Sequence, residues 1–184
     1  MWRRLLTLGA SFDGAALRPF DANADVAEPW PALRRWCLAG LSGTGLAVGF
    51  HASADLDAAT RRAAAVALDL DGTRLLQACP NAMARLRLKL AVKLRDAMVW
   101  HARGPLDVWD CGWVSADAGA RQALRQFKPR RPTFVVLSLV APAHISVTLG
   151  DLKARSPSFA HPLRVLVLGR ADASAPGGAV HIPA

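Results

Sequence analysis

Between Pro80 and Arg103 six cations, Arg85, Arg87, Lys89, Lys93, Arg95 and Arg103, stand against one acid, Asp96. A second run, RQFKPRR at 125–131, adds Arg125, Lys128, Arg130 and Arg131 with no acid at all. Guanidinium and ammonium groups at this density neutralise phosphates or carboxylates. Arg85, Lys89 and Lys93 recur every four residues, so on a helix they form one ridge. Trp100, Trp109 and Trp113 lie between the clusters, and an exposed indole can stack on a base. The residues expected to bind an anion or a nucleic acid are therefore Arg85, Lys89, Lys93, Arg125, Lys128, Arg130 and Arg131. The competing reading is a solvated helix face and a basic loop, with the tryptophans in the core. The whole chain leans the same way: 23 Lys+Arg against 14 Asp+Glu give +9 and a pI near 10.9. That balance suits an anionic partner, although an Ala- and Arg-rich composition also suits a GC-rich bacterial genome with no such partner.

Two carboxylates form a different kind of cluster. ALDLDGT at 67–73 places Asp69 and Asp71 ahead of Gly72-Thr73. This resembles the first motif of the haloacid-dehalogenase-like hydrolases. The resemblance implies that Asp69 would attack a phosphoryl group and Asp71 would act as general acid and base, beside magnesium at a strand end. It further implies a phosphate held by Ser115, a balancing charge from Lys128 and a metal ligand in Asp151. The chain departs from that pattern after Asp151, where Lys153 and Arg155 stand in place of a second acid. Read on their own, the residues predict a helix ending near Leu68, a turn at Asp71-Gly72, and a new helix at TRLLQAC capped by Asp71 or Thr73.

The other reactive side chains are dispersed. Cys37, Cys79 and Cys111 are an odd number with no C-x-x-C, which predicts reduced, buried thiols in a cytoplasm rather than disulfides. No pair of Cys or His has zinc-site spacing, so neither metal nor cofactor is expected. His51, His101, His144, His161 and His181 have no acidic or thiol neighbour in sequence. Ser138 lacks the glycine flanks of a nucleophile elbow. GLSGTGLAVGF at 40–50 lacks the Gly-Lys-Ser/Thr of a phosphate loop, and a tight turn before a strand is expected there.

The elements that must position these groups can be read in order. A chain of 184 residues that is 52% hydrophobic makes one domain with a proper core. RRLLTLGA at 3–10 predicts a short strand, and 12–31, with Pro19, Pro29 and Pro31, a loop. Helices are expected at 31–41, with a proline near the first position, and at 53–68, capped by Ser53 or Asp55. A strand is expected at 43–52. The segment 80–105 is ambiguous. Arg85 to Leu94 alternates polar and apolar, yet Ala, Leu, Arg, Lys and Met dominate, and Met83, Leu86, Leu90, Leu94 and Ala97 share one helical face. Helix is the preferred reading. Then follow strand 106–112, helix 115–128 capped by Ser115, strand 133–140, helix 146–156 and strand 162–170. Pro132–Gly150 has no Lys, Arg, Asp or Glu, but Ser138, Pro142, His144 and Ser146 interrupt it. A buried strand, loop and helix are expected there, and no membrane span. MWRRLLTLGAS is too brief an apolar run for a signal peptide.

ADAGARQALRQFKPRRPTFVVLSLVAP, followed by PLRVLVLGR, resembles the middle of a response-regulator receiver domain over residues 107–170. The resemblance implies a phosphoacceptor position at Ser138 and a switch position at Gly169. No aspartate stands at the first, and no hydroxyl at the second. A receiver built this way would have no magnesium site and no aspartyl phosphate.

These readings converge on an α/β domain at 1–170, a mostly parallel, doubly wound sheet of about five strands in flavodoxin or Rossmann style, flanked by helices. Residues 171–184 are expected to form a flexible tail. Ligands would meet the strand C-terminal ends, at 110–115, 139–144 and 169–170. The expected function is a non-catalytic, receiver-like or Rossmann-like regulatory or adaptor module that binds another protein in the cytoplasm. The alternatives are a basic nucleic-acid-associated protein and a divergent magnesium-dependent phosphohydrolase.

Overall fold

The computed structural model describes residues 17–21, 30–39, 45–97, 108–114, 118–138 and 142–184. The expected strand at 3–10, Ser115, Trp100 and His101 lie outside them. Helix α1 is Pro31–Leu38, strand β1 Gly45–Ser53, α2 Leu56–Leu70, α3 Thr73–Ala78 and α4 Ala82–Ala97. Strand β2 is Asp110–Trp113, α5 Ala118–Gln126, β3 Thr133–Ser138, α6 Pro142–Arg155, β4 Pro162–Arg170 and β5 Val180–His181.

The sheet is parallel throughout, in the order β2-β3-β4-β1-β5. Parallel strands are covered on both faces, so their sequences run apolar rather than alternating. LRVLVLG in β4 is buried at every position. Its odd residues, Leu163, Val165 and Val167, enter a core with Leu124 of α5 and Leu149 and Leu152 of α6. Leu166 and Leu168 enter a second core with Leu33 and Cys37 of α1 and the inner face of α2. The chain leaves β1, crosses to the far edge at β2, and steps back through β3 and β4. The reversal of direction is what places α2 on one face and α5 and α6 on the other, as right-handed crossovers require.

α2 starts where Asp55 accepts the amide of Ala58 at 2.8 Å, which settles the choice between Ser53 and Asp55 as cap. Its inner stripe is Ala59, Ala63, Val66, Ala67 and Leu70, all buried. Small residues let the helix axis lie close to the sheet. β1 makes a similar concession at Gly49, where a Cβ would sit 3.0 Å from Ile182 Cγ1 and 3.1 Å from Trp36.

Four elements differ from the sequence expectation. The strand expected at 106–112 is Asp110–Trp113, with 108–109 outside it. α6 begins at Pro142 rather than 146, because proline at a first helical position has no amide to lose. The 80–105 segment is helical only over 82–97 among the described residues. Residues 171–184, expected as a tail beyond the domain, return to the sheet as β5. There Ile182 is buried, its N–H donates to Phe50 O at 2.8 Å, and Trp30 Nε1 donates to Pro183 O at 2.6 Å. Among the described residues no helix is long and apolar enough to cross a membrane.

Candidate functional site

ALDLDGT is the end of one helix and the start of the next. Asp71 closes α2, its N–H bonded to Ala67 O at 2.9 Å. Its Oδ1 accepts the amide of Thr73 at 2.8 Å. Gly72, between them, takes φ +76°, a left-handed turn that suits glycine, and α3 begins at Thr73. Asp69, two residues earlier in α2, accepts Arg34 Nε at 2.7 Å. Asp151 lies in α6, on the opposite face of the sheet, and pairs with Arg125 at 3.2 Å. The three carboxylates therefore do not converge, and neither Asp69 nor Asp71 stands at a strand end. Among the described residues no three His, Cys, Asp or Glu side chains are grouped to hold a metal. Of the receiver positions, Ser138 ends β3 and Gly169 lies one residue before the end of β4.

A polar cluster sits where α2 ends beside the start of β2. Asp110 is buried and faces Arg131 Nη1 at 3.8 Å. Asp71 is raised from its ordinary 3.8 to about 6, first by burial, with Asp110 and Asp69 adding repulsion and the Thr73 hydrogen bonds opposing it. Burial pushes the Cys111 thiol well up, and Asp71 and Cys37 push it further. Burial raises Cys37 as well, despite the nearby Arg164. Both thiols are thereby held protonated, the opposite of an activated nucleophile. Cys79 departs from the expectation of burial: it is half-buried and its thiol faces Leu75 O at 3.2 Å. Arg164 is itself buried, where desolvation lowers its pKa, and its Nη2 donates to Ala39 O beyond α1 at 2.7 Å.

The two basic clusters differ in what occupies them. In the second, Arg125 pairs with Asp151 and Arg131 with Asp110. The Arg155 guanidinium donates to the carbonyls of Arg125 and Gln126, tying the C-terminus of α5 to α6. Lys128 and Arg130 remain exposed. Of the tryptophans, Trp109 is buried and Trp113 stands 41% exposed on the edge strand. The first cluster lies on α4, with Arg85 and Arg87 exposed and Lys89 half-buried. Lys93 belongs to the same helix, its side chain outside the described ones.

α4 carries the feature that the charge pattern alone missed. Asn81 caps it, accepting the amide of Ala84 at 2.8 Å. Met83, Leu86, Leu90 and Leu94 then line one face at 59%, 50%, 51% and 60% exposure. With Leu75 of α3 they make up five of the eight large hydrophobic side chains exposed among the described residues, so exposure is concentrated here. Ala84, Leu88 and Val92, on the other side, are half-buried. The strand-like alternation of 85–94 is the trace of this arrangement. Two residues advance a helix by roughly 200°, so alternate leucines fall on opposite sides, one inward and one outward. The signal was present in the shared face of Met83, Leu86, Leu90 and Leu94, but periodicity does not say which of two apolar faces is covered.

Compared with known proteins, the chain matches no family model, no curated protein and no solved structure.

Proposed function

We propose that this chain is a non-catalytic regulatory or adaptor module, receiver-like or Rossmann-like in build, that acts by binding another protein through α4. The observation that carries the reading is the exposed stripe Met83-Leu86-Leu90-Leu94. A contiguous row of large apolar side chains left in water on an otherwise well-covered fold marks an interaction surface. Four of the groups singled out for chemistry are engaged within the fold: Asp69 with Arg34, Asp71 with Thr73, and Cys37 and Cys111 in the core. The free, buried thiols also fit a reducing compartment such as the cytoplasm.

A photo-crosslinking residue at Leu90, with exposed Arg61 of α2 as control, tests the reading in cells. The expected result is one dominant protein adduct from position 90 and none from 61. The captured protein, once purified, should bind the wild-type chain and lose binding to Leu90→Gln. Absence of any protein adduct overturns the reading. Binding to a single-stranded oligonucleotide that falls steeply with salt and ignores Leu90→Gln would replace it with the nucleic-acid alternative.

A further inference from the structure

The stripe on α4 has a width, a period and charged edges, and these describe what covers it. We propose that its occupant is an acidic amphipathic helix of a partner protein, lying along α4 with apolar side chains in the stripe and carboxylates against the flanking cations. This rests on the protein-docking reading above and adds the chemistry of the partner.

Width comes first. At roughly 100° per residue, Met83, Leu86, Leu90 and Leu94 fall within roughly 80° of one another. That is the narrow seam of a helix pair, not the broad apolar face of a helix lying in a lipid interface. No aromatic residue occurs anywhere in 82–97, so the seam is methionine and leucine alone, and its narrow width is what sets it apart from an interfacial face. The period follows. Steps of three, four and four residues carry the seam across about three turns, close to the natural pitch of an α-helix. A partner helix can follow it nearly straight, without the supercoil that strict heptads impose.

The edges decide the charge. Arg87 borders Leu94 on one side of the seam, and the Lys93 position borders Leu86 on the other. Over its 16 residues α4 has five cations and one acid. A second copy of this chain would bring the same cations, within a net charge of +9, against it, so self-pairing through this face is opposed. Glutamates and aspartates flanking a leucine-type seam are complementary. One helix of about 24 Å covers less than the ~800 Å² per partner of a standard interface, so the complex should be micromolar and reversible.

The test uses the full chain and fluorescein-labelled synthetic helical peptides read by anisotropy. The probe carries leucines in 3-4-4 spacing with glutamates at the flanking positions. Controls keep the seam but flank it with lysines, or keep the glutamates but replace the seam with alanines. The acidic probe should bind at least ~10-fold more tightly than either control. Leu90→Gln should weaken it ~10-fold, and Arg87→Glu ~3-fold with a flatter salt dependence, both with native circular dichroism. The proposal is overturned if the lysine-flanked peptide binds as well, or if both variants bind the acidic probe like wild type. It is also overturned if phosphatidylglycerol vesicles capture the chain while the probe does not, which assigns the face to lipid. Self-association in sedimentation that Leu90→Gln abolishes assigns it to a second copy. A protein crosslinked at position 90 while the acidic probe fails leaves docking intact and removes only the acidic partner; failure of both removes the docking reading itself.

Discussion

α2 and α4 are near twins in length, 15 and 16 residues, and each carries an apolar stripe, yet they meet opposite fates. The stripe of α2 is built of alanines with Val66 and Leu70, and it is sealed against the sheet. The stripe of α4 is built of Met83 and three leucines, and it stands half in water. The larger hydrophobes are thus on the helix that leaves them exposed. At Ala59, Ala63 and Ala67 the stripe is filled by methyl groups, and these positions have almost no exposure left. Size on α4 answers to no such limit, and the leucines there are the ones on which the docking proposal rests. Burial and hydrophobicity are separable properties, and their mismatch is where function is best sought.

Enlarging a residue on the sealed stripe should show the contrast at its strongest. Ala63→Leu, at a position with no exposure, should cost about 3 kcal/mol in urea unfolding, because the core must move to admit it. A loss below about 0.5 kcal/mol would mean the α2 interface is looser than its burial indicates.

Next in size is a pH effect at the end of α2. Because the Asp71 carboxyl is raised to about 6 in the folded chain, the folded state holds its proton longer than the unfolded one does. Stability therefore falls as pH rises between about 4 and about 6, and is level above. Asp71→Asn keeps an acceptor for the Thr73 amide and removes the charge. It should stabilise by on the order of 2 kcal/mol at pH 8 and have no effect at pH 4. A gain that is equal at both pH values would remove the buried-charge explanation.

Asp55→Ala removes the side-chain cap of α2 and should cost about 1 kcal/mol, visible as a lower urea midpoint with unchanged slope. Smallest of all is Leu90→Gln on α4, where the side chain already meets water: a change within about 0.5 kcal/mol is expected. If Leu90→Gln destabilised the chain as much as Ala63→Leu, α4 would be a structural helix like α2 and the comparison would collapse.

The sequence made the sheet legible where burial is two-sided. β4 lies at 162–170 as read, because a seven-residue run broken only by Arg164 and bounded by Pro162 and Arg170 has few other solutions. The α2 boundary was legible through Asp55 and the Asp71-Gly72 turn, both local capping chemistry. β5 was not, since two residues cannot display a period, and what binds the segment is distant: Phe50, His51 and Trp30. The cations of 125–131 are adjacent in sequence, but the pairing of Arg125 with Asp151 and of Arg131 with Asp110 is set by tertiary contact between α5 and α6 and across the start of β2. On α4, residue type gave a helix and two apolar faces. Only the fold decides which of them is covered.

The strand order also sets a timetable for biosynthesis. Among the described residues β1 pairs with β4, residue against residue from Gly45–Pro162 to Ser53–Arg170, and with β5, so these partners are made after almost everything else. During translation β1 must wait, an unpaired apolar strand, while β2 and β3 emerge and can already pair with each other. The fold cannot close until Ile182 and Pro183 reach Phe50 and Trp30. Completion of the sheet therefore waits for β4 and β5, and a ribosome stalled before β4 would hold a chain whose interior strand β1 is an open site for chaperones.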